Sequence, residues 1–461
     1  MRKTYNGAPT LKHTGSACLN LFALIGSARQ HPAGVVQSFA RAYASDPALA
    51  LRILLWARDV RQGAGERETF RILLHWLERT HPEVAAALVR SGIVAELGRW
   101  DDILSLQSAT VWPEVLTQVR SALARGNKLA AKWMPRQGPV AAKLRADLGL
   151  DAKTWRQLLS AGSDTVEQRM CAGSWSAIKF DHVPSVAASR LHHAFRLHEH
   201  ERYGAYLDAV KDGRQTMHAG VVFPHDVVRA AASDDAAATV QWSQMPKPQL
   251  AGSALVVCDV SGSMSVAVSG QTTALDICVA LGLLLSENLP APFANQVLTF
   301  TETPSWHTIQ GQTLAERADS LRGARWGGST DFQAAFELIL SKAKEARALG
   351  VEFQMPETLL VLSDMEFNHA GSRGKTNLQV MQARFAQANL PMPRLVFWNL
   401  NARVGNQPAG NQTGVVLISG YSPRIAELVL GGRVDFQPDA LMREAVCVPR
   451  YDIPGLTIDL A

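Results

Sequence analysis

Apolar residues recur at three- and four-residue spacing over 35–43, 47–58, 66–78 and 82–91, the period of helices that bury one face. Asp46-Pro47 and His81-Pro82 put proline at a first helical position, and Gly63 and Gly65 break the chain before Glu66. Short helices in close succession predict stacked helix pairs, and no repeat of fixed period regularises them. Near residue 250 the period changes. Apolar runs at 254–259, 296–301, 358–363, 394–398 and 415–418 alternate with amphipathic stretches at 273–287, 331–348, 378–388 and 422–430. That alternation predicts a parallel or mostly parallel sheet with helices on both faces, whose ligands sit beyond the carboxyl ends of the strands.

The polar, small and proline-bearing stretch from Ser233 to Thr239, with Gln244-Met-Pro-Lys-Pro-Gln after it, reads as a linker. It divides the chain into a helical domain over 1–248 and an α/β domain over 249–461. The expected fold class is therefore multidomain α plus α/β: an irregular HEAT-like solenoid followed by a doubly wound α/β domain. A hydrophobic fraction of 47% and a charged fraction of 19% exclude a disordered chain. No run approaches the roughly 18–20 apolar residues of a membrane span. The basic start has an apolar run interrupted by Asn20, short for a signal sequence, so a cytoplasmic protein without a membrane partner is expected. The five cysteines are scattered without a CxxC pair, which fits buried reduced thiols.

The net charge of +5 hides an asymmetry. Residues 1–150 hold 20 basic and 11 acidic side chains, whereas residues 251–461 hold 15 and 19. A basic first half predicts an anionic partner.

Three oxygen-rich clusters follow predicted strands or open a predicted helix. They are Asp259-Val-Ser261-Gly-Ser263, Gly327-Gly-Ser-Thr330-Asp331 and Ser363-Asp364. Hydroxyls and carboxylates suit a hard divalent cation, and Mg²⁺ in particular uses few carboxylates and keeps water. Helix capping is the plain alternative for any one of these clusters, but three in this order favour a metal. In this order and on these elements they resemble the metal-ion-dependent adhesion site of a von Willebrand factor A domain. The resemblance implies that Asp259, Ser261, Ser263, Thr330 and Asp364 hold Mg²⁺ or another divalent ion. It also implies an open position for an acidic group of a ligand.

Further segments extend the resemblance over nearly the whole chain. Arg58-Asp-Val-Arg-Gln-Gly-Ala-Gly-Glu-Arg-Glu-Thr-Phe-Arg resembles the signature of the Ro/TROVE-type proteins, and more closely that of a sister family in bacteria, phages and plants. Leu129-Ala-Ala-Lys-Trp, Glu167-Gln-Arg-Met-Cys-Ala, Val183-Pro-Ser, His218-Ala-Gly and Phe397-Trp-Asn-Leu fit the same sister family. Such proteins carry a HEAT-repeat ring and an A domain, and bind small non-coding and misfolded RNAs. About 250 residues is short for a closed ring.

Arg120, Arg125, Lys128, Lys132, Arg136, Lys143 and Arg145 run without an acidic residue until Asp147. Positions 125, 128, 132 and 136 would share one helix face, although Pro135 ends or kinks a helix there. Trp133 within this run is placed to stack on a base, the combination single-strand binders use, and the resemblance favours RNA here over a solvated face. Arg58, Arg61, Arg67 and Arg71 are interleaved with Asp59, Glu66 and Glu68, which reads as internal ion pairing at a helix corner. Gly63-Ala-Gly-Glu lacks the ending of a phosphate-binding loop, and no GxSxG surrounds Ser261 or Ser263. His192, His193, His198 and His200 lack a HExxH pattern or cysteine partners, and read as a helix surface rather than a zinc site. The expected function is non-catalytic binding of small non-coding or misfolded RNA. The alternative is an adaptor whose metal site captures a partner protein's carboxylate.

Overall fold

The computed structural model describes residues 2–248, 252–300, 303–324, 331–368, 376–431 and 436–454. The first half is helical and the second is built on a six-stranded sheet, a mixed α and α/β architecture. The strands lie in the order Val415–Ser419, Arg394–Asn399, Thr358–Ser363, Ala254–Asp259, Gln296–Phe300 and Ser305–Thr308. All neighbours run parallel except the last pair. Ser305–Thr308 is an edge strand that the apolar pattern does not announce, because Trp306 and His307 break it. The inner strands are buried along almost their full length, as near-continuous apolar runs covered on both faces must be. Register brings their carboxyl ends level: Ser363 pairs with Asn399, Asn399 with Ser419, and Cys258 with Leu362.

In the first half, Pro47–Arg58 and Pro82–Arg90 begin at their prolines. Glu68–Thr80 starts two residues later than the period suggests. Its entry is capped by the Glu66 carboxylate, which accepts from the backbone N–H of Glu68 and Thr69 at 2.9 and 3.1 Å. Gly63 is required in the corner before it, since a Cβ there would lie 1.9 Å from the Trp56 carbonyl oxygen.

The first part of the expected linker is helical. Residues 233–239 belong to the helix Pro224–Ser243, which kinks at Asp234. The Ser-Asp-Asp polarity is that of a helix start rather than a loop: Asp234 Oδ1 accepts from Ala237 N–H at 3.1 Å. Its carboxylate is also held by Arg196 at 2.6 and 3.0 Å. The small alanines beyond it let the helix pack closely. Ala237 and Val240 enter a compact core around Phe180, Phe195 and Tyr203, while Ala238 and Trp242 enter the main core.

That main core is continuous across the change of secondary structure near residue 250. Helix Ala17–Ile25 of the first half packs on the edge strand Val415–Ser419. Gly26 N–H donates to Ser419 Oγ at 3.0 Å, and a Cβ on Gly26 would lie 2.3 Å from the Ser419 carbonyl oxygen. Residues 4–11 cross the loops that follow two strands: Thr4 Oγ1 donates to Phe367 O at 2.6 Å and Leu11 N–H to Gln407 O at 3.0 Å.

Candidate functional site

Central strand Ala254–Asp259 delivers Asp259 to the carboxyl edge of the sheet, and a short turn returns Ser261 and Ser263 beneath it. Ser261 N–H donates to Asp259 Oδ1 at 3.0 Å, and the Ser261 and Ser263 hydroxyl oxygens are 3.1 Å apart. The neighbouring strand delivers Ser363 and Asp364. Ser363 Oγ donates to Asp259 Oδ2 at 2.6 Å, a contact the sequence pattern did not single out. Asp364 Oδ1 accepts from Glu366 N–H at 3.1 Å, while its buried Oδ2 has no hydrogen-bond partner among the described residues. Four of the five expected ligand positions, Asp259, Ser261, Ser263 and Asp364, therefore gather at one edge. Thr330, the fifth, lies outside the described residues.

Two fully buried carboxylates at this edge oppose each other. Burial, and then the charge of Asp364, raise Asp259 well above the usual carboxylate range. Burial and the charge of Glu366 likewise raise Asp364, with Ser263 and Arg403 offsetting part of the rise. An orphaned carboxyl oxygen beside a second buried carboxyl group and two hydroxyls is a donor set that a hard cation would satisfy. Among the described residues, no group of three or more His, Cys, Asp and Glu side chains is placed to hold a metal. Among the described residues a cation here would need hydroxyl and water oxygens, the donors of a hard cation rather than of a thiolate or imidazole zinc site.

Glu366 was visible in sequence two residues beyond Asp364, but its role was not. It is buried under the first residues of the chain, where Oε2 accepts from Tyr5 N–H at 2.5 Å and Oε1 from Asn406 Nδ2 at 3.0 Å.

The basic run does not form one helix face. Arg125 caps the end of Trp112–Ala124, Gly126 turns the chain with φ +68°, and the next helix is the short Lys128–Trp133. The cations consequently face different clefts. Arg125 lines one with Arg61 and Arg450, Lys128 a second with Arg169 and Lys179, and Lys132 and Arg136 a third with Glu167. The acids missing from the run in sequence are supplied by the fold. Asp164 lies 3.5 Å from Lys128 and Glu167 3.3 Å from Lys132.

Arg120 reaches Asp147 O at 3.5 Å and Arg136 reaches Ser163 Oγ at 3.5 Å. Lys143 sits 3.9 Å over the Trp112 ring, and Arg145 bonds its own helix at Ala141 O. Trp133 is half-buried with the Arg99 guanidinium 4.1 Å from its ring centre, so that face is closed to a base.

Of the four arginines of the first corner, Arg58 and Arg71 are ion-paired, with partners from elsewhere, while Arg61 donates to the Glu96 carbonyl. Arg58 and Arg71 hold Asp102 at 2.7 and 2.6 Å, Arg29 holds Glu66 at 2.7 Å, and Arg450 holds Asp59. The histidines form no metal cluster. His192 is a core residue between Tyr203 and Gln241, and His198 stacks on Trp175 at 3.9 Å, whereas His193 and His200 are exposed. Cys18, Cys258 and Cys278 are buried, but Cys171 and Cys447 are exposed, which corrects the expectation of five buried thiols.

The molecule is thus a helical body and a parallel-rich α/β body joined through one core, with a buried dicarboxylate–dihydroxyl edge and basic side chains spread over three clefts of the helical half. A family model described as a domain of unknown function (DUF7788) matches residues 253–446. A second, also a domain of unknown function (DUF2828), matches 4–104 and 149–256. An uncharacterised protein of Acanthamoeba polyphaga mimivirus is 26% identical over 504 residues, covering 95% of this chain and 86% of that protein. Among solved structures, the RO (RSR) protein of Deinococcus radiodurans aligns over 89% of this chain and 91% of its own, at 15% identity and a TM-score of 0.39. That correspondence is too loose to carry any residue's role across. Among the described residues no helix is long and apolar enough to cross a membrane.

Proposed function

We propose that this is a non-catalytic, cytoplasmic RNA-binding protein of the Ro type, which holds small non-coding or misfolded RNA on its helical half. The carrying observation is the excess of nine positive charges in residues 1–150, of which Arg120, Arg125 and Arg136 present exposed guanidinium groups. The resemblance of the segment from Arg58 to Arg71 supports the same reading. Its finer form takes the helices as an irregular HEAT-like solenoid and the sheet body as a von Willebrand A-like domain. In that domain Asp259, Ser261, Ser263 and Asp364, with Thr330, would hold Mg²⁺. The ion would supply a positive charge to bridge an acidic ligand. The test is titration of the purified protein with small structured and single-stranded RNAs across salt. Log affinity should fall with log salt by about 0.7 for each phosphate neutralised on a single strand. Absent binding at low salt, or a flat dependence on salt, would sink the reading.

A second reading has its own support. The unpartnered Asp364 Oδ2 suits a metal-dependent adaptor that captures a partner protein's carboxylate. Asp259→Ala separates the two: the adaptor loses its partner, while RNA affinity is retained.

A further inference from the structure

We infer that the cleft between Arg61, Arg125 and Arg450 seats an unpaired segment of an RNA chain, one or two nucleotides long. This rests on the RNA-binding reading above and narrows it to one place. The cleft measures about 660 Å³ and is assembled from parts of the chain as far apart as Arg61 and Arg450. That volume is in the range of small-ligand sites.

Three arginines line it. Arg61 Nη1 donates to Glu96 O at 2.9 Å, and Arg450 is fixed by Asp59 at 2.5 and 3.0 Å, so both forks are oriented before any ligand arrives. Arg125 is exposed and has no ion-pair or hydrogen-bond partner for its side chain among the described residues. Against them the lining carries Glu96, with Asp59 buried behind Arg450.

The remaining lining suits a base rather than a bare anion. Leu129, 59% exposed, lines the cleft together with the largely buried Trp100. The Leu129 side chain is apolar surface that the flat face of a base would cover. Two amides offer one acceptor and one donor. Gln118 donates Nε2 to Arg90 O at 2.8 Å and keeps Oε1, while Asn127 Oδ1 accepts from Ala130 N–H at 3.0 Å and leaves Nδ2. Hydrogen-bonding edges, an apolar face and phosphate-binding forks together match a splayed nucleotide, whose faces and edges a paired A-form helix keeps stacked inside.

The other two clefts lack this combination. In one, Asp164 pairs with Lys128 and Arg169 but no side-chain amide lines the cleft; in the other, Glu167 pairs with Lys132 and no large exposed apolar side chain lines it.

The test uses the full chain and a single-stranded oligouridylate of about twelve nucleotides, within the span such sites cover. Arg125→Glu should weaken binding at least tenfold at low salt and reduce the salt slope by about one phosphate equivalent. Leu129→Ala should weaken it with the slope unchanged. Arg156→Glu, at another exposed arginine of the same half, is the control. Photocrosslinks from 4-thiouridine should map to peptides spanning 118–129. Equal losses for Arg125→Glu and Arg156→Glu, or crosslinks elsewhere with both cleft variants binding normally, would overturn the cleft while leaving RNA binding intact. A wild-type protein that binds no oligouridylate but binds structured RNA overturns the cleft alone. One that binds no RNA at all removes the wider reading with it.

Discussion

Arg450 and Asp59 stand 391 positions apart in sequence and form a two-point ion pair, Nε to Oδ2 at 2.5 Å and Nη2 to Oδ1 at 3.0 Å. Tyr451 Oη donates to the same carboxylate at 3.1 Å. A turn near the end of the α/β half thereby closes over the helix Pro47–Arg58, and Asp59 is fully buried beneath it.

Arg450→Met should destabilise the fold by about 3–5 kcal/mol, because it leaves a buried carboxylate without its cation. Urea denaturation is the measurement, and Asp59→Asn combined with Arg450→Met should recover part of the loss. Burial alone would raise the Asp59 carboxyl, but hydrogen bonds from Arg450, Arg61 N–H and Tyr451 outweigh it and hold it below its ordinary value. The stabilisation is thus present above the ordinary carboxylate pKa and is lost as pH falls through the lowered one. Asp59→Asn should flatten that acid limb.

His225 gives a pH dependence in a higher window. It is buried beside Phe223 and Tyr421, its Nδ1 has no partner among the described residues, and burial lowers it from 6.5 to about 4. The unfolded chain binds the proton more readily between those values, so stability falls as pH drops from 6.5 towards 4. The full difference is on the order of 3 kcal/mol. His225→Phe should remove this slope in thermal melts recorded across the window; an unchanged slope would refute the assignment.

Gly26→Ala should separate the first helix from the sheet edge. The added Cβ meets backbone rather than a movable side chain, so relief requires the helix to shift, at a cost of about 1–3 kcal/mol or more. Amide exchange should then accelerate in Ala17–Ile25 and Val415–Ser419 together. Acceleration confined to the helix would argue against the docking.

Asp364→Asn should act in opposite directions with and without a divalent ion. In metal-free protein it removes one of two opposed buried charges and should raise the melting temperature. In wild type, Mg²⁺ at a hundred times its dissociation constant should add about 2.7 kcal/mol, an increment the variant should lose. An equal Mg²⁺ response in both proteins would count against these ligands.

The local pattern made much of the architecture legible. The Asp46-Pro47 start, the apolar run 254–259 and the run 358–363 depend on capping and strand burial, which neighbouring residues encode. That Asp259, Ser261, Ser263 and Asp364 would lie at the sheet's carboxyl edge was legible for the same reason, since each ends or closely follows a strand that periodicity already marks. Ser363 and Glu366 gain their roles from the opposite strand and from Tyr5, so spacing alone did not reveal them. The stretch from Ser233 to Thr239 misled because small polar residues serve a linker and a tightly packed helix equally well.

By itself the sequence determined most of the strands, several of the helices, where charge is concentrated and which oxygens end adjacent strands, because these follow from interactions a few residues long. Tertiary structure alone decided that Asp164 and Glu167 neutralise Lys128 and Lys132, that Arg99 covers Trp133, and that Arg450 joins Arg61 and Arg125 at one cleft. Those outcomes depend on which surfaces are buried together across tens to hundreds of residues, and the packing of the shared core sets them.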